Sequence, residues 1–247
     1  YRPDAWRLGH MEGGFDIVAM PSPAPVHICA ALPNSRALEQ WPDFPTAAMP
    51  ASGRIANGCG LTEAASRRSA IGEAVELMKS CARGDEPVIR ATSRDLGNGA
   101  IRPNKLNGFS PSQIEARERE NRFFDGQDWI PAVSRDDTLL DWIEAEVANT
   151  DARLFVPADA VLIGRREAGD SVAVAVADSN GCACGPTVET AKLAALLELI
   201  ERDAAARWWY GQRQRERLDP VILGPLPDLR AYLDNRSRRF LLFDITT

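Results

Sequence analysis

TVETAKLAALLELIERDAAARWW, Thr187–Trp209, is the stretch whose reading decides the fold. Alanine and leucine dominate it and neither glycine nor proline interrupts it. Pro186 stands just before Thr187, a residue suited to N-capping, so the stretch reads as one long helix. Leu193, Leu196, Leu197 and Ile200 recur at helical spacing, and the expectation is that this stripe packs into a core. Along one flank lie Glu198, Glu201, Arg202 and Asp203. The plainest account of Glu198 and Arg202 is an i,i+4 surface pair, worth a few tenths of a kcal/mol.

Working outward, a second helix is expected over Thr62–Cys81, TEAASRRSAIGEAVELMKSC, with Thr62 as its cap. Ser69, Glu73 and Glu76 fall at i, i+4 and i+7, a single face. Ala65, Ile71, Ala74, Val75 and Met78 cover much of the rest. Two helices that each carry a carboxylate pair at one-turn spacing could meet and hold a hard cation such as magnesium. Spacing alone is weak support, because Glu-rich helices are common.

These residues resemble the YcaO family. The resemblance is carried by Ser69-Ala-Ile-Gly-Glu73-Ala-Val-Glu76 and by Leu196-Leu-Glu198-Leu-Ile-Glu201-Arg202-Asp203-Ala204. It is carried also by Asp178-Ser-Asn-Gly181-Cys-Ala-Cys-Gly185-Pro-Thr187, which is similar to the family's S-x-G-x-A-x-G-x-T turn. Gly58-Cys-Gly60-Leu-Thr62 resembles the lead-in to the first helix, and Leu241-Leu-Phe-Asp244-Ile-Thr-Thr247 a later strand. The match runs over about residues 50 to 247 with its motifs in order.

The resemblance implies an ATP- and Mg2+-dependent enzyme that activates peptide backbone amides by phosphorylating the amide oxygen. Azoline-forming cyclodehydration in a ribosomal peptide pathway comes first; thioamide formation, or a degenerate domain that binds nucleotide or peptide without turnover, are the alternatives. Such phosphoryl transfer needs positioned cations more than a nucleophilic side chain. It further implies that Ser69, Glu73 and Glu76 contact ATP from one helix and Glu198, Glu201 and Arg202 from the other. Glu73, Glu76, Glu198 and Glu201 would be metal ligands, and Arg202 a planar fork for phosphate. Arg54 is the best further basic candidate. A peptide substrate, presented by a leader-binding partner protein, is implied as well, and a homodimer is allowed.

Two positions depart from the family pattern. Leu77 follows Glu76 where the family has arginine. Thr190 stands where the family has glutamate, with Glu189 one residue early. A one-residue shift turns a helical side chain by about 100°, so Glu189 does not substitute.

A chain of 247 residues, 45% hydrophobic and 26% charged, reads as globular. A formal charge of -6 argues against a nucleic-acid partner bound through phosphates. No run is long enough to span a bilayer and no signal peptide is evident, so the cytoplasm is the default location. Five cysteines are not a disulfide framework, and Cys182-Ala-Cys184 with only His10 and His27 besides is a poor zinc set. Two histidines, neither beside a nucleophile motif, disfavour His-based triads.

Strands are expected at Phe15–Met20, Val26–Leu32, Pro87–Ser93, Trp129–Val133, Leu139–Val147 (strand or short helix), Leu154–Ile163 around a turn, and Ser171–Ala177. Ala51–Gly60 reads as irregular, Asp95–Gln113 as a mobile loop, and Pro111–Phe124 as a polar surface helix. The strand–turn–helix order around Ser179–Thr187 aims backbone N–H groups at one spot suited to an anion. Trp208, Trp209 and Tyr210 are expected to pack as a core cluster. Residues 1–50 form a strand-bearing segment, part of or flanking the main domain, and residues 51–247 a YcaO-like ATP-binding domain. Arg239–Thr247 looks like a strand's beginning, so the fold is expected to continue beyond it. The expected fold class is α+β: mixed or antiparallel sheets with helices packed on one face, in two-layer units.

Overall fold

A computed structural model describes residues 14–36, 56–122, 129–165, 172–224, 226–236 and 240–246. The chain forms two compact units, one from Tyr1–Lys79 with Asn180–Thr247, the other from Ser80–Ser179. The fold is mixed α and β, with small antiparallel sheets and helices, as expected.

In the first unit, β1 (Phe15–Met20), β2 (His27–Pro33) and β3 (Ala56–Gly60) make a three-stranded sheet in that order. Both pairings are antiparallel, Val18 opposite Ala30 and Cys29 opposite Gly58. Helix α1 (Glu63–Ser80) lies on this sheet. Phe15, Cys29, Ala31 and Ala56 from the strands close over Ala70, Ile71, Ala74 and Met78 from the helix, a two-layer core. Inside it the Cys29 Sγ and Ser66 Oγ lie 3.1 Å apart, and the Ser66 hydroxyl donates to the Glu63 carbonyl, so a buried hydroxyl is satisfied.

The irregular reading of Ala51–Gly60 is corrected over its described part. Glycines 58 and 60 looked like loop residues, but they sit in β3 because the helix presses on the strand there. A Cβ on Gly60 would come 2.7 Å from the Ala65 Cβ and 2.9 Å from the Ser66 nitrogen.

The second unit holds the antiparallel sheet β4 (Ile89–Thr92), β5 (Leu139–Glu146) and β6 (Arg153–Pro157). Trp142 is fully buried, its indole N–H donating to the Ala91 carbonyl at 3.0 Å. Arg165 ties Asp141 and Asp159 together, and Arg90 reaches Asp141 from the neighbouring strand. The loop expected over Asp95–Gln113 is largely short helix instead: α2 (Ser93–Leu96), a 3-10 turn at Gly97–Gly99, and α3 (Pro103–Leu106). Local chemistry accounts for this: Thr92 and Asp95 form a capping box on α2, and Pro103 opens α3. The polar helix is present as α4 (Pro111–Glu120), with a Ser110–Gln113 capping box and no buried residue.

Two expected strands are absent over their described residues. Between Trp129–Val133 and Val172–Ala177, the Ala132 N–H donates to the Ala173 carbonyl at 2.7 Å, without a strand ladder. Ala173, Val174 and Ala175 are buried consecutively, so the valine alternation marked an apolar interior rather than a pleated ladder.

The chain closes the first unit with α5 (Val188–Trp209), α6 (Pro227–Asp234) and the short pair β7 (Arg217–Leu218) and β8 (Leu242–Phe243). Thr187 caps α5 as expected. The packing expectation for this helix is overturned. Leu193, Leu196, Leu197 and Ile200 are each more than half exposed, and Ala204 is the helix's buried residue. Trp209 and Tyr210 are also exposed, at 69% and 83%, with Trp208 meeting Trp209 edge to face. Periodicity identified the apolar face; it carried no information on what lies over that face. Among the described residues, no helix is long and apolar enough to cross a membrane.

Candidate functional site

The acidic flanks of helices α1 and α5 lie within electrostatic range of one another in the first unit. Partial burial, and then the Glu198 carboxylate, raise the Glu73 carboxyl above its ordinary value, while Arg202 pulls it back. The effect is larger at half-buried Glu76. Burial, then Glu73, then Glu198 push it up from 4.5 to about 7, against a hydrogen bond from the Cys184 backbone that lowers it. Three carboxylates from two helices therefore share one electrostatic neighbourhood. Arg202 is the cation beside them: its Nη2 donates to Glu198 Oε1 at 3.4 Å and its Nη1 lies 3.8 Å from Glu201 Oε1.

The i,i+4 pair of Glu198 and Arg202 thus exists, and so does a setting that a surface pair lacks. Glu198 keeps only 26% of its side chain exposed, against 67% for Glu201. Glu198 reaches inward to accept the Gly181 N–H through Oε2 at 3.1 Å. Glu201 stays on the outer side with Arg202. Ser69 is exposed one turn before Glu73 on α1. Arg54 lies outside the described residues.

The turn before α5 was read as a place for an anion. Its amides do hold anions, and these are the protein's own: Gly181 donates to Glu198 and Cys184 to Glu76. Reasoning from sequence missed both contacts. The available signal was the glycine, which adopts φ +79° here.

The two departures from the family pattern have structural explanations. Leu77 packs against the core beneath α1. The Thr190 hydroxyl accepts from the Thr187 N–H at 3.0 Å and donates to the Thr187 carbonyl at 2.9 Å, completing a capping box. Glu189 is engaged with the same helix start, where backbone and Thr187 hydrogen bonds lower its pKa. Neither residue joins the carboxylate group.

The donor set suits a hard cation. Three carboxylates against one guanidinium leave an excess of negative charge, and their mutual repulsion is relieved when a cation enters. Among the described residues, no three His, Cys, Asp or Glu side chains stand close enough together to hold a metal ion by themselves. Mg2+ keeps water and phosphate oxygens in its shell and so needs fewer ligands from the protein.

A pH dependence follows from Glu76. Its carboxyl binds a proton more tightly in the fold than in the unfolded chain. Its contribution to stability is therefore full below about pH 4.5 and is lost as pH rises through about 7. Between about pH 5 and pH 8 the melting temperature of the metal-free protein is expected to fall, and to fall less in Glu76→Gln. Scanning calorimetry of both proteins checks this; equal slopes would contradict the shift at Glu76.

The chain is similar to known proteins in sequence and in fold. A family model described as YcaO cyclodehydratase, ATP- and Mg2+-binding, matches residues 57–247. No curated protein matches the chain. Among solved structures, a heterocyclase in complex with substrate and cofactor is 30% identical, with a TM-score of 0.69 over 83% of this chain and 27% of that one. The heterocyclase TruD is 25% identical, with a TM-score of 0.64 over 97% of this chain and 33% of that one. YcaO from Methanopyrus kandleri, bound with AMPPCP and Mg2+, shares the fold at 19% identity, with a TM-score of 0.54 over 95% of this chain and 51% of that one. The chain thus spans from about a quarter to about a half of the length of these three structures.

Proposed function

We propose, because this chain belongs to the YcaO cyclodehydratase family, that its two-helix acidic site binds ATP with Mg2+ and activates backbone amides of a peptide substrate. The observation that carries the reading is the shared electrostatic field of Glu73, Glu76 and Glu198 from two helices, with Arg202 alongside. When bound, ATP supplies the phosphoryl group that turns an amide oxygen into a leaving group, with Mg2+ offsetting the phosphate charge. Glu73, Glu76 and Glu198 hold the cation. Arg202, fixed by Glu198 and Glu201, neutralises phosphate charge through its planar guanidinium. Glu201 acts by orienting Arg202 from the outer side, and the Ser69 hydroxyl is a nucleotide contact at the exposed end of the α1 face.

Azoline-forming cyclodehydration is the leading chemistry. A Cys, Ser or Thr side chain of the peptide adds to the preceding carbonyl carbon, and the former amide oxygen departs as phosphate. Thioamide formation differs in taking sulfur at that carbon. The peptide is delivered by a leader-binding partner. A second reading, binding without turnover, draws on Leu77 and Thr190, which the fold uses for packing and capping rather than for the site.

Titration calorimetry with Mg-ATP, followed by phosphate assay with a Cys/Ser/Thr-bearing peptide and its partner, tests the proposal. Mg2+-dependent ATP binding and peptide-dependent phosphate release are expected. Loss of one water from the peptide marks an azoline, and exchange of oxygen for sulfur marks a thioamide. Tight ATP binding with no phosphate release under any peptide would favour the second reading.

A further inference from the structure

We propose that the turn preceding α5 is a positioning element for the cation site, its Gly181 and Cys184 N–H groups holding the carboxylates of Glu198 and Glu76 in place; this rests on the Mg-ATP reading above.

Two ligands come from helices more than a hundred residues apart in sequence, while the groups that fasten them lie three residues apart on one turn. Glu198 has both oxygens engaged, Oε2 by the Gly181 N–H at 3.1 Å and Oε1 by Arg202 at 3.4 Å. Its orientation is therefore fixed from two sides. Glu76 accepts the Cys184 N–H in the same way. Glutamate has three rotatable side-chain bonds, and three carboxylates that repel one another would swing outward without a restraint. Backbone amides supply that restraint without adding a mobile cation, as partners behind metal ligands commonly do.

The turn is built to sit this close. Gly181 has φ +79°, which L side chains rarely adopt, and a Cβ there would meet the Leu199 Cγ and Cδ2 at 3.0 Å. Leu199 is the residue after Glu198, so an added methyl would push the turn from the very stretch of α5 that its amide holds. At the other end, a Cβ on Gly185 would fall 2.6 Å from the Thr190 Oγ1 and 2.7 Å from the Ala191 nitrogen. The two glycines let residues 181–185 lie along α5 between Thr190 and Leu199. Their demand for glycine is thereby linked to where two carboxylates point.

Two measurements on the full protein test the idea. In the metal-free protein, hydrogen exchange at the Gly181 and Cys184 amides, read by NMR, is expected to be slow. Glu198→Ala should speed the first, and Glu76→Ala the second, by about tenfold or more. Next, the Mg2+ concentration needed for half-maximal ATP binding is measured. Gly181→Ala should raise it by about tenfold with the circular dichroism spectrum unchanged. Gly181→Asn combined with Leu199→Ala keeps a left-handed conformation and clears the space, and should bring the requirement most of the way back.

A Gly181→Ala protein with the wild-type Mg2+ requirement overturns the proposal, even if its melting temperature falls, because a purely structural turn would move only the latter. Wild-type Mg-ATP binding with rapid exchange at both amides overturns the positioning role alone. Wild type that binds no Mg-ATP overturns the nucleotide reading, and with it the purpose of the turn.

Discussion

Glu198→Gln is expected to abolish Mg2+-dependent ATP binding while leaving the protein folded and no less stable. The substitution keeps size and shape, and the amide oxygen can still accept the Gly181 N–H. What it removes is the charge. In the metal-free protein that charge is a liability, since it is one of the influences raising Glu73 and Glu76. Its loss relieves repulsion, and the melting temperature at alkaline pH should hold or rise. In the bound state the same charge is a ligand. Removing a group behind a metal ligand costs about 10–100-fold in metal affinity, so removing a ligand's charge should cost at least about a hundredfold. Glu76→Gln is expected to behave alike. Calorimetric titration with Mg-ATP beside thermal melts reads both effects. Undiminished ATP binding by both variants would mean that the two-helix site is wrongly placed.

The combination of unchanged folding and lost binding separates this site from an ordinary surface charge cluster. A solvated pair such as Arg207 with Asp203, one turn further along α5, can be deleted with little consequence for stability or ligand. Glu198 differs because it touches the turn, Arg202 and the field of the α1 carboxylates at once.

Much of this was legible in the sequence, for reasons that are local. The two long helices announce themselves by composition, by absence of glycine and proline in α5, and by Thr187 as a cap. Face-sharing within a helix is also local, so Glu73 and Glu76 were correctly grouped. Residues three apart still diverge by about 60° around a helix, which is enough to take Glu198 inward and leave Glu201 exposed. That the two acidic flanks come within electrostatic range is a tertiary fact; only the resemblance to a family supplied it beforehand. The exposed leucine stripe of α5 and the consecutive burial of Ala173, Val174 and Ala175 were misread for a common reason. Hydrophobic pattern states a preference for cover or for a pleat, and the surroundings decide whether it is met. The glycines were misread in the opposite sense. At Gly58 and Gly60 the missing side chain makes room for a helix residue, and nothing in a single sequence tells that use from a loop.

Gly58→Ala is expected to cost about 3 kcal/mol or more of stability, above the usual range for a single added methyl in a core. Gly58 lies in β3 opposite Cys29, with α1 directly over it. A Cβ there would fall onto the Ala70 nitrogen and the Ser66 carbonyl oxygen, and 2.7 Å from the Ser69 carbonyl carbon. All three atoms are backbone in the middle of a helix, so no side chain can rotate away. The whole helix must lift from the sheet, opening the core of Phe15, Ala31, Ile71 and Met78. Because α1 also carries Glu73 and Glu76, Mg-ATP binding should be lost even in molecules that remain folded. Gly72→Ala supplies the contrast on the same helix. A Cβ at Gly72 meets nothing within 4 Å, and alanine favours helix over glycine by roughly 0.5–1 kcal/mol, so this variant should gain stability. Urea denaturation of the two variants beside wild type reads both signs in one experiment. A Gly58→Ala protein as stable as wild type would mean that α1 does not rest on β3 at this closeness, and the placement of its carboxylates would have to be reconsidered with it.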